Sequence, residues 1–138
     1  MPISKEKIEK AIELVKLQSG EKIVDLGSGD GRILIACAKK GGRAVGFEIN
    51  PFLVWKANRN IKKAGLENLA QAKWRNFWWQ GLSSFDIVFV YGIGHIMRGL
   101  EKKLQKELKP GAKVVSFIFQ FPNWQPQIGE NGIYIYQK

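Results

Sequence analysis

The stretch Val24-Asp25-Leu26-Gly27-Ser28-Gly29-Asp30-Gly31-Arg32 decides how this sequence is read. A short apolar run ends in it, glycines follow at every second position, and a segment free of breakers begins after Arg32. That order describes a strand handing over to a helix through a turn in which no side chain obstructs the backbone. The open amides at a helix start add a field that favours negative groups. Spacing carries more information here than glycine content. A dinucleotide-binding turn, G-x-G-x-x-G, needs glycine at position 32, but Arg32 stands there and the third glycine comes one residue early.

Working outward, the sequence alternates strands with helices. Ile8, Ala11, Ile12 and Val15 fall on one helical face, with Ser4 as N-cap and Gly20 as the expected stop. Lys22 to Leu26 reads as a buried strand, 33–40 as a helix closed by Gly41-Gly42, and 44–49 as a second strand. Asn50-Pro51 is a helix start, since Asn caps and Pro suits the first helical position. Leu53, Ala57, Ile61 and Ala64 mark its buried stripe, and Gly65 ends it. Strands are expected over 72–77, 85–91, 113–119 and 133–136, with a helix over 96–109 that buries Met97, Leu100, Leu104 and Leu108. Two prolines make 121–126 a loop. This pattern predicts an α/β fold: a doubly wound, mostly parallel sheet whose ligands sit at the carboxyl ends of the strands. One domain over 1–138 is expected, with an N-terminal helix in 1–20 and the α/β core in 21–138.

The totals agree with a globular domain. The chain has 138 residues, 45% hydrophobic and 25% charged, with 15 glycines and five tryptophans. One cysteine, Cys37, rules out an internal disulfide and reads as a small buried hydrophobe. One histidine and one cysteine offer no metal-ligand spacing, so no metal is expected. No apolar run approaches the roughly 18 residues that span a bilayer, and no signal-peptide core opens the chain; a soluble, cytoplasmic protein is expected. The net charge of +10 permits nucleic acid, an anionic membrane surface or an acidic protein as partner.

Two features of the loop region agree on an adenosine ligand. Asp25 would be a poor neighbour for a pyrophosphate but a good one for an ammonium group, which S-adenosylmethionine carries on its amino-acid end. Glu48 ends the second strand about 20 residues past the loop, where an acidic side chain accepts hydrogen bonds from ribose hydroxyls. The expected cofactor is S-adenosyl-L-methionine.

Asp25-x-Gly27-x-Gly29-x-Gly31, followed by an acid closing the next strand, resembles the class I, Rossmann-like S-adenosylmethionine-dependent methyltransferases. A closer likeness includes Gly46-Phe47-Glu48-Ile49-Asn50-Pro51-Phe52-Leu53-Val54-Trp55 and Phe121-Pro122-Asn123-Trp124-Gln125-Pro126. With those stretches the chain resembles the protein-lysine methyltransferases that modify the ATP synthase c-subunit, and their prokaryotic relatives, from about Ile12 to Tyr136. The resemblance implies a reversed final strand, a monomer or weak oligomer, and transfer of methyl groups to lysine ε-amines of a protein substrate. By position it implies that Gly27, Ser28, Gly29 and Gly31 wrap the methionine portion, with Asp25 beneath it. It also implies that Glu48 holds the ribose and that Ile49 packs on adenine. Asn76, followed by Phe77, falls where the family meets the adenine amino group; the other reading of Asn76 is a turn residue.

Two departures from the family stand out. No membrane-anchoring segment is expected near the N-terminus, and a membrane-embedded substrate is not expected. No helix is expected between the last strands, and the 121–126 loop takes its place. Tyr91 would close the fourth strand and either line the substrate site or pack the sheet. His95, in Tyr91-Gly92-Ile93-Gly94-His95, reads as a solvated residue rather than a base. Trp78 and Trp79 either flank an opening or cover a sheet edge, with packing favoured for one of them. Two other functions stay open: an RNA methyltransferase, from the net charge and clusters such as Lys62-Lys63, and a non-catalytic S-adenosylmethionine-binding domain.

Overall fold

Strands of three to six residues build a seven-stranded sheet with helices on both faces; β1, β2 and β4 are apolar runs buried on both sides. The computed structural model describes residues 3–92 and 94–138. In chain order the elements are α1 (Lys5–Val15), β1 (Lys22–Leu26), α2 (Arg32–Lys39), β2 (Arg43–Glu48), α3 (Pro51–Lys63), β3 (Ala70–Trp74), β4 (Ile87–Val90), α4 (Met97–Glu107), β5 (Lys113–Phe117), β6 (Ile128–Glu130) and β7 (Ile133–Gln137). Single 3-10 turns at Phe77–Trp79 and Gly94–Ile96 precede β4 and α4.

The strand order is β3-β2-β1-β4-β5-β7-β6. The first five strands run parallel, and β7 returns antiparallel to β5 with Val115 opposite Ile135. The expected reversed strand is therefore present. The chain winds outward from β1 to β3, then crosses back to lay β4 beside β1. That reversal is the topological switch point, where an open α/β sheet leaves a crevice. Leu26 pairs with Val90 there, so Gly27 and Tyr91 leave the two strands side by side.

The two faces are unequal. Three helices, α1, α2 and α3, bury Ile8, Ile12, Leu34, Ala57 and Ile61 against one face of the sheet. The other face takes α4, through Met97, Leu100 and Leu104, together with Leu82, Phe85 and Phe121. Burying one such aliphatic side chain contributes about 1.5–3 kcal/mol. Ser4 caps α1 by accepting from the Lys7 amide at 3.2 Å. Asn50 caps α3 by accepting from Phe52 at 3.0 Å.

Several boundaries differ from expectation. Helix α1 ends at Lys16, which takes the left-handed conformation (φ 57) and returns its amide to Ile12 and Glu13, so Gly20 serves the turn into β1. Ala64 is exposed as the C-cap of α3 and lies off its buried stripe. Strand β3 starts two residues early and stops at Trp74, because Asn76 turns the chain into the 3-10 turn that follows. Strand β5 stops at Phe117, because Ile118 adopts φ 72 and donates its amide to Gly132 at 2.6 Å. Strand β4 is shorter than 85–91, with Phe85 and Asp86 in the approach to it. The three-residue β6 was not expected at all.

The outer edge of the sheet is closed by a side chain. Asn58 of α3 accepts from the Ala72 amide at 2.9 Å and donates to its carbonyl at 3.0 Å.

Candidate functional site

The loop after β1 turns because Gly29 and Gly31 hold left-handed backbone (φ 56 and 88). Its start is fixed to the neighbouring strand, as the Gly27 amide donates to the Phe47 carbonyl at 2.8 Å. Gly31 is needed for a second reason: a Cβ there would lie 3.1 Å from the Ala57 Cβ, where α3 crosses the loop. At Gly27 and Gly29 a Cβ would meet no atom within 4 Å, so that side of the loop faces open space.

Glu48, buried at the end of β2, ties the loop to the start of α3. Its Oε1 accepts from the Gly29 amide at 2.9 Å and its Oε2 from the Asn50 amide at 3.0 Å. Each oxygen keeps a further lone pair. Asp25 lies one strand inward and is 3% exposed. Burial pushes its carboxyl well above the ordinary aspartate range, and the Glu48 charge adds to that. A nearby cation would reverse the shift. Ser28 is also buried, and its Oγ is the one buried side-chain polar atom without a hydrogen-bond partner among the described residues. An orphaned hydroxyl of this kind carries a cost that a polar ligand would relieve.

A cleft of about 240 Å³ opens at the carboxyl ends of β1 and β4, where Asp25, Gly27, Ser28, Gly29 and Tyr91 meet Leu53 and Lys56 of α3, with Glu48 behind the loop that it braces. A larger groove of about 500 Å³ lies outside it, between α1 and α2. That groove lies off the strand ends and takes only Asp30 and Arg32 from the loop stretch, so the smaller cleft is the candidate site. Ile3, Asp30 and Arg32 form the near wall of the cleft. The Arg32 guanidinium binds both oxygens of Asp30, at 2.7 and 3.1 Å, and donates to the Ile3 carbonyl at 3.1 Å. Its hydrogen bond holds Asp30 below the usual carboxylate range.

The structure thus brings together Asp25, Gly27, Ser28, Gly29, Gly31, Glu48 and Tyr91. Ile49 (67% exposed) follows Glu48 at the rim. Asn76 is exposed and caps the 3-10 turn, accepting from the Trp78 amide at 3.0 Å. Phe77 is half-buried, its ring 4.8 Å from Trp78. Trp79 is 82% exposed. His95 is exposed in the turn before α4, and Ile93 lies outside the described residues. Cys37 is buried, and burial pushes its thiol up. Among the described residues no three of His, Cys, Asp or Glu are grouped to hold a metal ion, and no helix is long and apolar enough to cross a membrane.

Sequence reasoning missed Leu53, Lys56 and Ile3 as lining residues. For the first two a signal existed: they sit three and six residues past the Asn50 cap, on the turns of α3 that face a ligand at the loop. Ile3 gave none, because only the Arg32 contact brings it to the cleft.

Comparison with known proteins places this site in context. The ANTKMT methyltransferase domain matches residues 25–128. A protein-lysine N-methyltransferase of Saccharolobus islandicus is 35% identical over 129 residues, covering 92% of this chain and 80% of that protein. The human ATP synthase C-subunit lysine N-methyltransferase is 39% identical over 126 residues, covering 91% of this chain and 54% of that protein. The chain spans about half the length of the vertebrate ATP synthase C-subunit methyltransferases it matches. Among solved structures, an RNA methyltransferase from Salinibacter ruber in complex with S-adenosyl-L-homocysteine superposes with a TM-score of 0.91 at 34% identity, covering 99% of this chain and 91% of that one.

Proposed function

This chain belongs to the ANTKMT methyltransferase domain family, and on that premise we propose that it binds S-adenosyl-L-methionine and methylates lysine ε-amines of a protein. One observation carries the reading: a buried carboxylate, an orphaned hydroxyl and an unobstructed glycine loop converge in a single cleft at the switch point. These groups fit the methionine end of that cofactor. Asp25 meets its ammonium, and the pairing offsets the cost of a buried charge. The Ser28 hydroxyl and the loop amides take its carboxylate. Glu48 accepts from the ribose through its remaining lone pairs, while Ile49 and Phe77 pack on adenine and Asn76 meets the adenine amine.

When bound, the cofactor supplies an electrophilic methyl group, and the hard chemistry is its own. The protein's part is placement and exclusion of water. Tyr91 closes β4 beside Gly27 and lines the cleft where an acceptor enters. A lysine must be neutral to attack, and no histidine lines the cleft; Asp25 is committed to the ammonium and Asp30 to Arg32. The ε-ammonium therefore gives its proton to water at the open mouth before the amine is sequestered. The same reading makes residues 1–138 one domain, acting in the cytoplasm as a monomer or weak oligomer.

The name of the Salinibacter ruber relative and the charge of +10 favour RNA as a second acceptor. The test is transfer of labelled methyl from S-adenosylmethionine into a cell extract, divided between protease and nuclease. Label lost to protease and recovered on lysine supports the proposal. Label lost to nuclease replaces lysine by RNA, and cofactor binding without transfer to either leaves a binding domain in place of an enzyme.

A further inference from the structure

Two oddities of composition are left largely unexplained by the cleft: five tryptophans and a net charge of +10. Both concentrate in residues 49–82. This stretch holds Trp55, Trp74, Trp78 and Trp79, and it carries Lys56, Arg59, Lys62, Lys63, Lys73 and Arg75 against Glu67 alone. Six positive charges less one negative give +5, half the charge of the whole chain.

Folding turns much of this stretch outward along one rim. Phe52, Trp55 and Trp74 are 62%, 58% and 63% exposed. They form one surface: the Trp74 indole donates to the Ile49 carbonyl at 2.9 Å, the Phe52 and Trp55 rings lie 6.0 Å apart, and Asn58 clasps α3 to β3 alongside. Cations are set among the rings. Lys56 and Arg59 are exposed beside them on α3, and the Arg59 guanidinium lies 5.6 Å from the centre of the Trp55 ring, while Lys73 points to the other face of the sheet, towards Val45 and Phe85. Aromatic surface left open to this extent in one place marks an interaction site.

The arrangement selects the partner. Phe52, Trp55, Lys56 and Arg59 occupy positions i, i+3, i+4 and i+7 of α3, so rings and cations share one helical face. A helix that lies in a membrane interface segregates the two, with its apolar face buried and its charges opposite. Interleaved rings and cations instead match a ligand in which flat bases alternate with phosphates. We propose that this rim, at the mouth of the cleft, is a docking surface for single-stranded RNA. Bases stack on Trp74 and Trp55, and phosphates lie against Lys56 and Arg59. The inference does not depend on which acceptor is methylated, and it is tested without cofactor.

The probe is a fluorescein-labelled twelve-residue oligouridylate, titrated with the full chain across a range of salt. Saturable binding is expected, with affinity falling steeply as salt rises. Trp74→Ala is expected to weaken it by about tenfold, in line with the loss of one stacked base, while Trp74→Phe, which keeps a ring, restores most of the loss. Arg59→Gln with Lys56→Gln is expected to lower the salt slope by about two. The pair Lys39→Gln and Lys40→Gln, at the far end of α2, is expected to change affinity less than twofold. Thermal melting confirms that each variant is folded. The proposal is overturned by absence of saturable binding, by equal losses in rim and control variants, or by the rim variants abolishing binding to vesicles of 30% phosphatidylserine while leaving oligouridylate binding unchanged.

Discussion

Replacing Gly31 by alanine tests the packing that sets the glycine loop against α3. The residue sits at φ 88, ψ 8 as the N-cap of α2, and an added methyl would lie 3.1 Å from the Ala57 Cβ and 3.2 Å from its Cα. Left-handed backbone costs a non-glycine residue about 1–2 kcal/mol. Forcing a methyl into a filled contact costs roughly 1–3 kcal/mol more. The expected loss is therefore about 2–5 kcal/mol, a large part of the ~5–15 kcal/mol of a typical domain. Urea unfolding followed by circular dichroism reads it as a lower midpoint at unchanged slope. Repeating the substitution on an Ala57→Gly background separates the two contributions. Removing that methyl relieves the Cβ contact but leaves the Ala57 Cα at 3.2 Å and the left-handed strain, so Gly31→Ala should then cost less than in the parent, yet no less than the about 1–2 kcal/mol of the strain alone. A loss under ~1 kcal/mol in the parent, or equal losses on both backgrounds, refutes the reasoning.

Asp25→Asn should raise stability at neutral pH and abolish S-adenosylmethionine binding. Burial, then Glu48, raises the carboxyl in the folded state, so the native protein holds its proton longer than the unfolded chain does. The charged form's cost grows as pH rises from the ordinary aspartate value through the raised one. The stability gap between parent and variant, read from urea midpoints, should therefore close toward acid pH; a gap independent of pH would place the effect elsewhere. Glu48→Ala should weaken cofactor binding by about 1–3 kcal/mol in calorimetry and lower the melting temperature as well, since both oxygens hold backbone amides. Arg32→Ala frees the Ile3 carbonyl and Asp30, so stopped-flow should show cofactor leaving several-fold faster; an unchanged off-rate would make that wall irrelevant to retention.

The order of strands and helices was legible because the apolar runs are buried on both sides. Val24 and Val88 face α4 while Ile23 and Ile87 face α1 and α2, so each strand reads as a continuous hydrophobic run. Asn50-Pro51 was legible because a cap is a local event. Strand β3 was displaced in the reading for the opposite reason. It is an edge strand with Gln71 and Lys73 exposed, and the aromatic run 74–79 mimics a strand by propensity while forming a turn and a rim. The left-handed residues Lys16 and Ile118 have no sequence signature, since tertiary contacts rather than residue type impose them. In the site, the loop, Asp25 and Glu48 were visible because chemistry and spacing coincide. That Glu48 also braces the loop was not, because it depends on where two backbone amides point.

Asn58 bears on how the protein behaves at high concentration. A sheet of this kind has two free borders, and a border with unmet amides and carbonyls invites a second polypeptide to pair with it. At β3 the outward groups of Ala72 are satisfied by the Asn58 amide, so an incoming strand would have to break two hydrogen bonds to begin. The opposite border, β6, is three residues long, too brief a template to propagate pairing. Growth into fibrils is thus hindered at both ends, and a chain that displays several bare indoles on its surface can remain dispersed.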